Sequence, residues 1–188
     1  IDQIHLHELA DSHRQLLITL DESSRNIRAE KETSKLLQEV VRLGAELVDF
    51  TVGGLYINQP QLNQLELCVA YKLPDRLIGS QVPHAESVVG TVIRTGRSQI
   101  AHQYTLQNEQ ENLNLLFSTF VAVPLKHVDN VEAVLFVANS ASHRPFLKID
   151  LEILERFAVH AALALQTSRL INQEQRMFHQ LIILHKIS

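Results

Sequence analysis

One cysteine, one methionine and no tryptophan leave this chain of 188 residues with little thiol or thioether chemistry to offer. Cys68 has no partner for an intrachain disulfide. Its place in the apolar alternating run 65–71 predicts a buried thiol in a reducing compartment, and so a cytoplasmic protein. No uninterrupted apolar stretch approaches the ~18 residues of a membrane span, and the opening residues lack a basic segment and a cleavage pattern. No membrane contact is therefore expected of this segment. Basic residues are not in excess either: 17 Lys and Arg stand against 21 Asp and Glu, and they are not clustered, which argues against a nucleic-acid partner. The chain begins without Met and stops without a helix-ending Gly or Pro, so it is expected to be part of a longer polypeptide, with an output domain elsewhere.

What is present is enough for one core. Apolar residues make up 45% of the chain, and the length suits one globular unit with appendages. Neither Gly nor Pro occurs from Asp2 to Leu43. Within that stretch Leu6, Leu9, His13, Leu16, Leu20, Ser23 and Ile27 recur at helical spacings of three and four, a narrow stripe suited to one partner helix. A second, wider stripe follows at Leu36, Leu37, Val40, Val41, Gly44, Leu47 and Val48, as expected of a helix packed on a sheet. Gly53 and Gly54 are read as breaking that helix.

The runs 55–57 and 65–71 flank the turn-forming Asn58-Gln59-Pro60-Gln61 and predict a hairpin, with a further strand over 77–82. A short helix is predicted from Ser87 to Arg94, capped by Ser87 and stopped by Gly96. A brief strand over 98–101 leads into 102–118, which has no clean period and is read as a long loop, a candidate lid. The strands 119–125 and 131–138 are nearly continuous in apolar residues, which places them centrally. Their link ends in Asp129-Asn130, a pair that tolerates the positive φ of a tight turn. Asp150 is read as the N-cap of a long helix, with Ile149 and Leu154 as its hydrophobic staple. Leu163, Leu170, Met177 and Leu184 then recur every seven residues, with Leu181 between the last two, so this helix presents a seam beyond the domain.

Helices at both ends around antiparallel strands predict an α+β architecture. The segments Ser87-Val88-Val89-Gly90-Thr91-Val92, Thr95-Gly96-Arg97-Ser98, Val121-Ala122-Val123-Pro124-Leu125 and Val134-Leu135-Phe136-Val137-Ala138-Asn139, followed by Phe146 and Asp150, resemble in order and spacing a GAF domain, the sensor module of bacterial signalling proteins. The resemblance implies a GAF-like, profilin- and PAS-related central antiparallel sheet of five or six strands, with helices flanking it and a ligand cavity on one face. It divides the chain into an N-terminal signalling helix (1–30), the domain (31–168) and a coiled-coil linker helix (169–188). It also implies a non-catalytic function: binding a small molecule and passing the signal to an output such as a histidine kinase or a nucleotide or diguanylate cyclase. Family ligand positions correspond to Val88, Val89, His102, Tyr104, Leu113, Phe117, Ser118 and Thr119.

Cyclic-nucleotide-binding members carry Asn-Lys, Phe and Asp-Glu. This chain keeps Asn139, Phe146 and Asp150 but has Ser140 and Leu151 at the Lys and Glu positions, so the motif's Lys–Asp ion pair is expected to be lost and cyclic GMP or AMP is disfavoured. A covalent bilin is not expected either, because Cys68 precedes the cavity region. The residues name no particular cofactor.

His84, His102 and His127 invite a metal or haem reading, but no ligand-spaced partner accompanies them, and they are read as ordinary polar histidines. Ser87 beside His84 lacks the glycine elbow of a hydrolase and is read as a helix cap. The expected assembly is a homodimer through Leu6, Leu9, Leu16 and Leu20 with Leu163, Leu170, Met177, Leu181 and Leu184. The alternative is a dimerisation and spacer module whose cavity has closed.

Overall fold

The computed structural model describes residues 31–108, 112–140 and 144–187. Leu6, Leu9, Leu16 and Leu20 lie outside them. Helix α1 is described over 31–47, and its residues from Leu36 onward belong to the folded unit 36–188. There follow β1 (Val52–Gln59), β2 (Gln64–Tyr71), β3 (Gln81–Pro83), α2 (Val88–Thr95), β4 (Gln99–Asn108), β5 (Leu113–His127), β6 (Asn130–Asn139) and α3 (Lys148–Ile187). The six strands form one sheet in the order β3-β2-β1-β6-β5-β4, with every neighbouring pair antiparallel.

β6 is one of the two middle strands and β5 lies between it and the edge strand β4; over 120–123 and 133–138 both are covered on both faces, as their continuous apolar runs predict. Alternate side chains feed two cores. Val121, Val123, Leu135 and Val137 point to one face, where Val41, Ala45, Leu154, Ala158 and Leu165 of α1 and α3 cover them. Phe120, Ala122, Val134 and Phe136 point to the other, under Val89 and Val92 of α2.

Gly53 and Gly54 do not end α1. The helix stops earlier, in a Schellman arrangement: Asp49 takes the left-handed conformation (φ 57°), its N–H bonds Glu46 O, and the Phe50 N–H bonds Ala45 O. The two glycines lie inside β1, and a Cβ on Gly54 would run into the Phe136 ring. Glycine is needed there for close packing rather than for a turn.

Cys68 is half-buried instead of buried. The β1–β2 register jumps from Leu55↔Val69 to Tyr56↔Leu67, so Cys68 is the extra residue of a bulge.

The described residues of segment 102–118 are mostly strand, not loop. They form most of a long ribbon of β4 and β5, paired from Gln99↔Ala122 to Asn108↔Leu113. Its inward residues step by two from Leu113 through Leu115 to Phe117 and then by three to Phe120. On β4 they step by two from Leu106 to Tyr104 and then by three to Ala101. Alternation slips phase opposite Gln103, whose φ is 53°, and Ser118. That slip is why the segment shows no clean period.

At the other hairpin the positive φ falls on Val128 (55°), not on Asp129 or Asn130. Strand β5 runs on to His127 and β6 starts at Asn130, which leaves Val128 and Asp129 as the two turn residues.

Asp150 is not the N-cap of α3. The helix begins at Lys148, and the Asp150 carboxylate reaches back to accept the Leu147 N–H at 2.9 Å, the return half of a capping box. The staple positions thus pass to Phe146 and Leu151, both partly buried against the helix-side core, while Ile149 is exposed.

Candidate ligand-binding site

Local sequence places α2 over the second face. Ser87 Oγ accepts the Gly90 N–H at 2.9 Å and donates to Pro83 O at 2.9 Å, and Gly96 ends the helix with φ 61°. The loop before it is tied down as well. His84 Nε2 bonds Asn58 Oδ1 at 2.8 Å, Asn58 Nδ2 donates to Val131 O at 3.1 Å, and Arg94 donates to His84 O. Because Asn58 Oδ1 can only accept, His84 carries its proton on Nε2.

Beneath α2 an aromatic ladder crosses four strands. Tyr104 of β4 lies 4.2 Å from Phe120 of β5, Phe120 stacks on Phe136 of β6 at 4.8 Å, and Phe136 meets Tyr56 of β1 at 5.6 Å between ring centroids. Such contacts add to the area that the rings bury. Burial pushes the hydroxyl pKa of both Tyr56 and Tyr104 upward, so each remains a neutral group at physiological pH.

Tyr56 also forms part of the wall of a cavity of about 620 Å3. The turn between β1 and β2 contributes Leu62, Asn63 and Gln64. The segment leading into β3 contributes Leu77, Gly79 and Ser80, and β3 itself Gln81, Val82 and Pro83. The far end of β4 supplies Leu106, Gln107 and Asn108. β3 and β4 are the two edges of the sheet, which in a flat six-stranded sheet would stand about 24 Å apart. One cavity touching both means that the sheet curls until its edges face each other.

Five of the eight residues expected at the site, Val88, Val89, Tyr104, Leu113 and Phe117, belong to the α2 face, but none of the eight lines this cavity. Val89 and Phe117 are buried in the second core, Val88 and Leu113 pack against it, and Tyr104 belongs to the aromatic ladder. His102 is exposed and pairs with Thr119 across the ribbon. Ser118 Oγ turns to the end of β6, donating to Asn139 O and Ser140 O at 3.0 and 2.9 Å. Leu113 comes closest in register, because it pairs with Asn108 of the cavity wall. The lining residues themselves carry no motif; they meet only because the sheet curls.

The residues at the cyclic-nucleotide motif positions are structural here. Asn139 Oδ1 accepts from the Thr51 N–H at 2.7 Å and from Thr51 Oγ1 at 2.9 Å. Asp150, 4% exposed, does have an ion-pair partner: Arg144 meets both carboxylate oxygens, at 2.7 and 2.9 Å. The same guanidinium donates to Val48 O at 2.7 Å and stands 3.8 Å from Asp49. It therefore ties the end of α1 to the start of α3. Arg144 hydrogen bonding, joined by the Leu147 N–H, outweighs desolvation and holds the Asp150 pKa below the usual carboxylate value. The family motif carries its cation directly after Asn139, whereas this chain supplies it from an arginine five residues on.

Among the described residues no group of three or more His, Cys, Asp or Glu converges, and no helix is long and apolar enough to cross a membrane.

Known proteins match this architecture. The second GAF domain of DevS from Mycobacterium smegmatis superposes with a TM-score of 0.62 at 20% identity, covering 77% of this chain and 99% of that one. A methyl-accepting chemotaxis protein, residues 122 to 287, gives 0.61 at 18% identity over 78% and 98% of the two chains. The GAF domain of an Acinetobacter phosphoenolpyruvate-protein phosphotransferase gives 0.59 at 16% identity over 80% and 96%. No curated protein matches the sequence. The family model of the GAF domain covers residues 30–166, well over half of the chain. With its curled six-stranded sheet between two helical layers, the chain belongs to the GAF domain family.

Proposed function

We propose that this domain is a non-catalytic sensor that binds a small molecule between the facing edges of its sheet and passes the occupied state to a linked output domain through paired helices. The observation that carries this reading is the cavity of about 620 Å3 walled by both β3 and β4. Its size falls within the range of small-molecule sites. A ligand there touches the end of β4 and the opposite edge at once, so binding favours the state in which the two are closed on each other. The 102–118 segment contributes as a strand ribbon, replacing the ordering lid that its composition suggests. Ser87 serves as a helix cap and His84 is held by Asn58, which supports a regulatory rather than a catalytic role. A cytoplasmic setting fits the single, unpaired thiol.

Transmission is assigned to α3. Leu163, Leu170, Met177, Leu181 and Leu184 are each at least 60% exposed, and a second copy of the chain is the partner that covers them. Replacing Met177 and Leu181 by Glu is expected to reduce the mass measured by light scattering from dimer to monomer; an unchanged mass would remove this seam from the dimer. For the sensor, a thermal-shift screen of uncharged and charged metabolites should find a stabilising ligand, worth about 2.7 kcal/mol at 100 times its dissociation constant.

The aromatic ladder favours a second reading. Phe120 and Phe136, both fully buried and stacked, fill the space beneath α2, as in a spacer module whose family pocket has closed. Absence of stabilisation by any compound in the screen would select it.

A further inference from the structure

We infer that the cavity between the sheet edges takes an uncharged hydrogen-bonding molecule of nucleobase or nucleoside size and discriminates against anionic counterparts of the same molecule. This rests on the sensor reading above and narrows it. The inference comes from the composition of the wall. Five carboxamide residues, Asn63, Gln64, Gln81, Gln107 and Asn108, are joined by Ser80, with Gln64 Nε2 donating to Gln59 Oε1 at 3.0 Å, and no Lys, Arg, His, Asp or Glu is among the described residues lining it.

A carboxamide offers a donor and an acceptor side by side, the pattern that pairs in two bonds with the edge of a purine or of another amide. A phosphate or carboxylate entering the same space gives up part of its hydration and finds no cation in return. At the N-terminus of α2 the Gly90 N–H is already taken by the Ser87 hydroxyl. Leu77 and Leu106, both buried, supply apolar wall against which a ring can lie. The wall also joins strands from the two edges of the sheet, so one flat ligand with hydrogen-bonding groups on two sides can bridge them.

The test is calorimetric titration of the whole chain with matched pairs that differ in charge: adenosine against adenosine 5′-monophosphate, and nicotinamide against nicotinate. The neutral member of at least one pair is expected to bind, and its charged counterpart to bind at least about tenfold more weakly. Ser80→Lys adds the missing cation at a position whose structural hydrogen bonds are made by its backbone, to Leu77 O and from the Leu67 N–H. It should narrow or reverse the preference. Gln107→Lys, at an exposed position, provides the same test if the first variant does not fold. Equal or tighter binding of the charged members by the unmodified chain overturns the inference and leaves the sensor reading in place. So does a charge preference that neither lysine moves in a natively folded variant. Binding by no member of either pair also overturns it, and stabilisation by nothing in the wider screen overturns the sensor reading as well.

Discussion

The two faces of the sheet are built by different means. On the helix-covered face, small residues such as Ala45, Ala158 and Ala161 let α1 and α3 settle closely on Leu55, Val123 and Leu135, and the core is mainly aliphatic, with Phe50 meeting Phe146 edge-on at 5.8 Å. On the α2 face, a single eight-residue helix covers only part of the surface, and large rings span the rest until the curl leaves an opening beside Tyr56. Close packing buries one face, whereas incomplete coverage leaves a cavity on the other. The same alternating strands serve both, so a change on one face is felt on the other within a residue's thickness.

The largest expected effect separates the two faces directly. Leu135→Ala empties a site fully enclosed by the helix-side core and should cost about 3–4 kcal/mol, while Leu106→Ala borders existing open space and should cost about 2 kcal/mol. Urea denaturation of both variants checks this, and equal losses would mean that the cavity side is as tightly packed as the helix side.

Next is the Arg144–Asp150 clasp, which belongs only to the helix side. Asp150→Ala should cost about 2 kcal/mol at neutral pH by removing the partner of Arg144 and the acceptor of the Leu147 N–H. The native pKa of Asp150 is depressed, so its contribution is complete above the ordinary carboxylate value of 3.8 and fades as pH falls through the lower native value. The stability gap between the unmodified chain and Asp150→Asn should therefore shrink between pH 6 and pH 2.5. A constant gap would show that the charge of Asp150 is not what stabilises the clasp.

The smallest effect has the opposite sign. Val128 is 81% exposed with φ 55°, a conformation that a β-branched residue adopts only at a cost, and Val128→Gly should raise stability by about 1 kcal/mol. A loss of stability there would mean that the turn is held by contacts of the valine side chain.

Much of the fold was legible because its signals are local. Ser87 and Gly96 bound α2 through hydrogen bonds that span three or four residues, and the apolar runs of β5 and β6 announce burial on both faces. The ribbon was not legible as strand, because its alternation slips phase at Gln103 and Ser118 and each half is too short to establish a period alone. Leu113, Leu115 and Phe117 carried a two-residue repeat that could have found it. Gly53 and Gly54 misled for a related reason: a glycine required by a ring from a distant strand looks like one required by a turn. Asp150 marks a helix start from either cap position, N-cap or third residue, and only the Leu147 N–H bond tells the two apart. The cavity walls were illegible, since Asn63, Ser80 and Gln107 become neighbours only through the curl of the whole sheet.

The clasp at Arg144 has a mechanical consequence. At about 1.5 Å per residue, the 40 residues of α3 make a rod roughly 60 Å long, pinned at its first turn to the last carbonyls of α1. The rod is held against the sheet as far as Leu165, so about 22 residues, roughly 33 Å, extend past its support, and a tilt of about 5° there carries the far tip about 3 Å. On the proposed sensor reading, that displacement is what a slight contraction of the sheet delivers to whatever the tip engages.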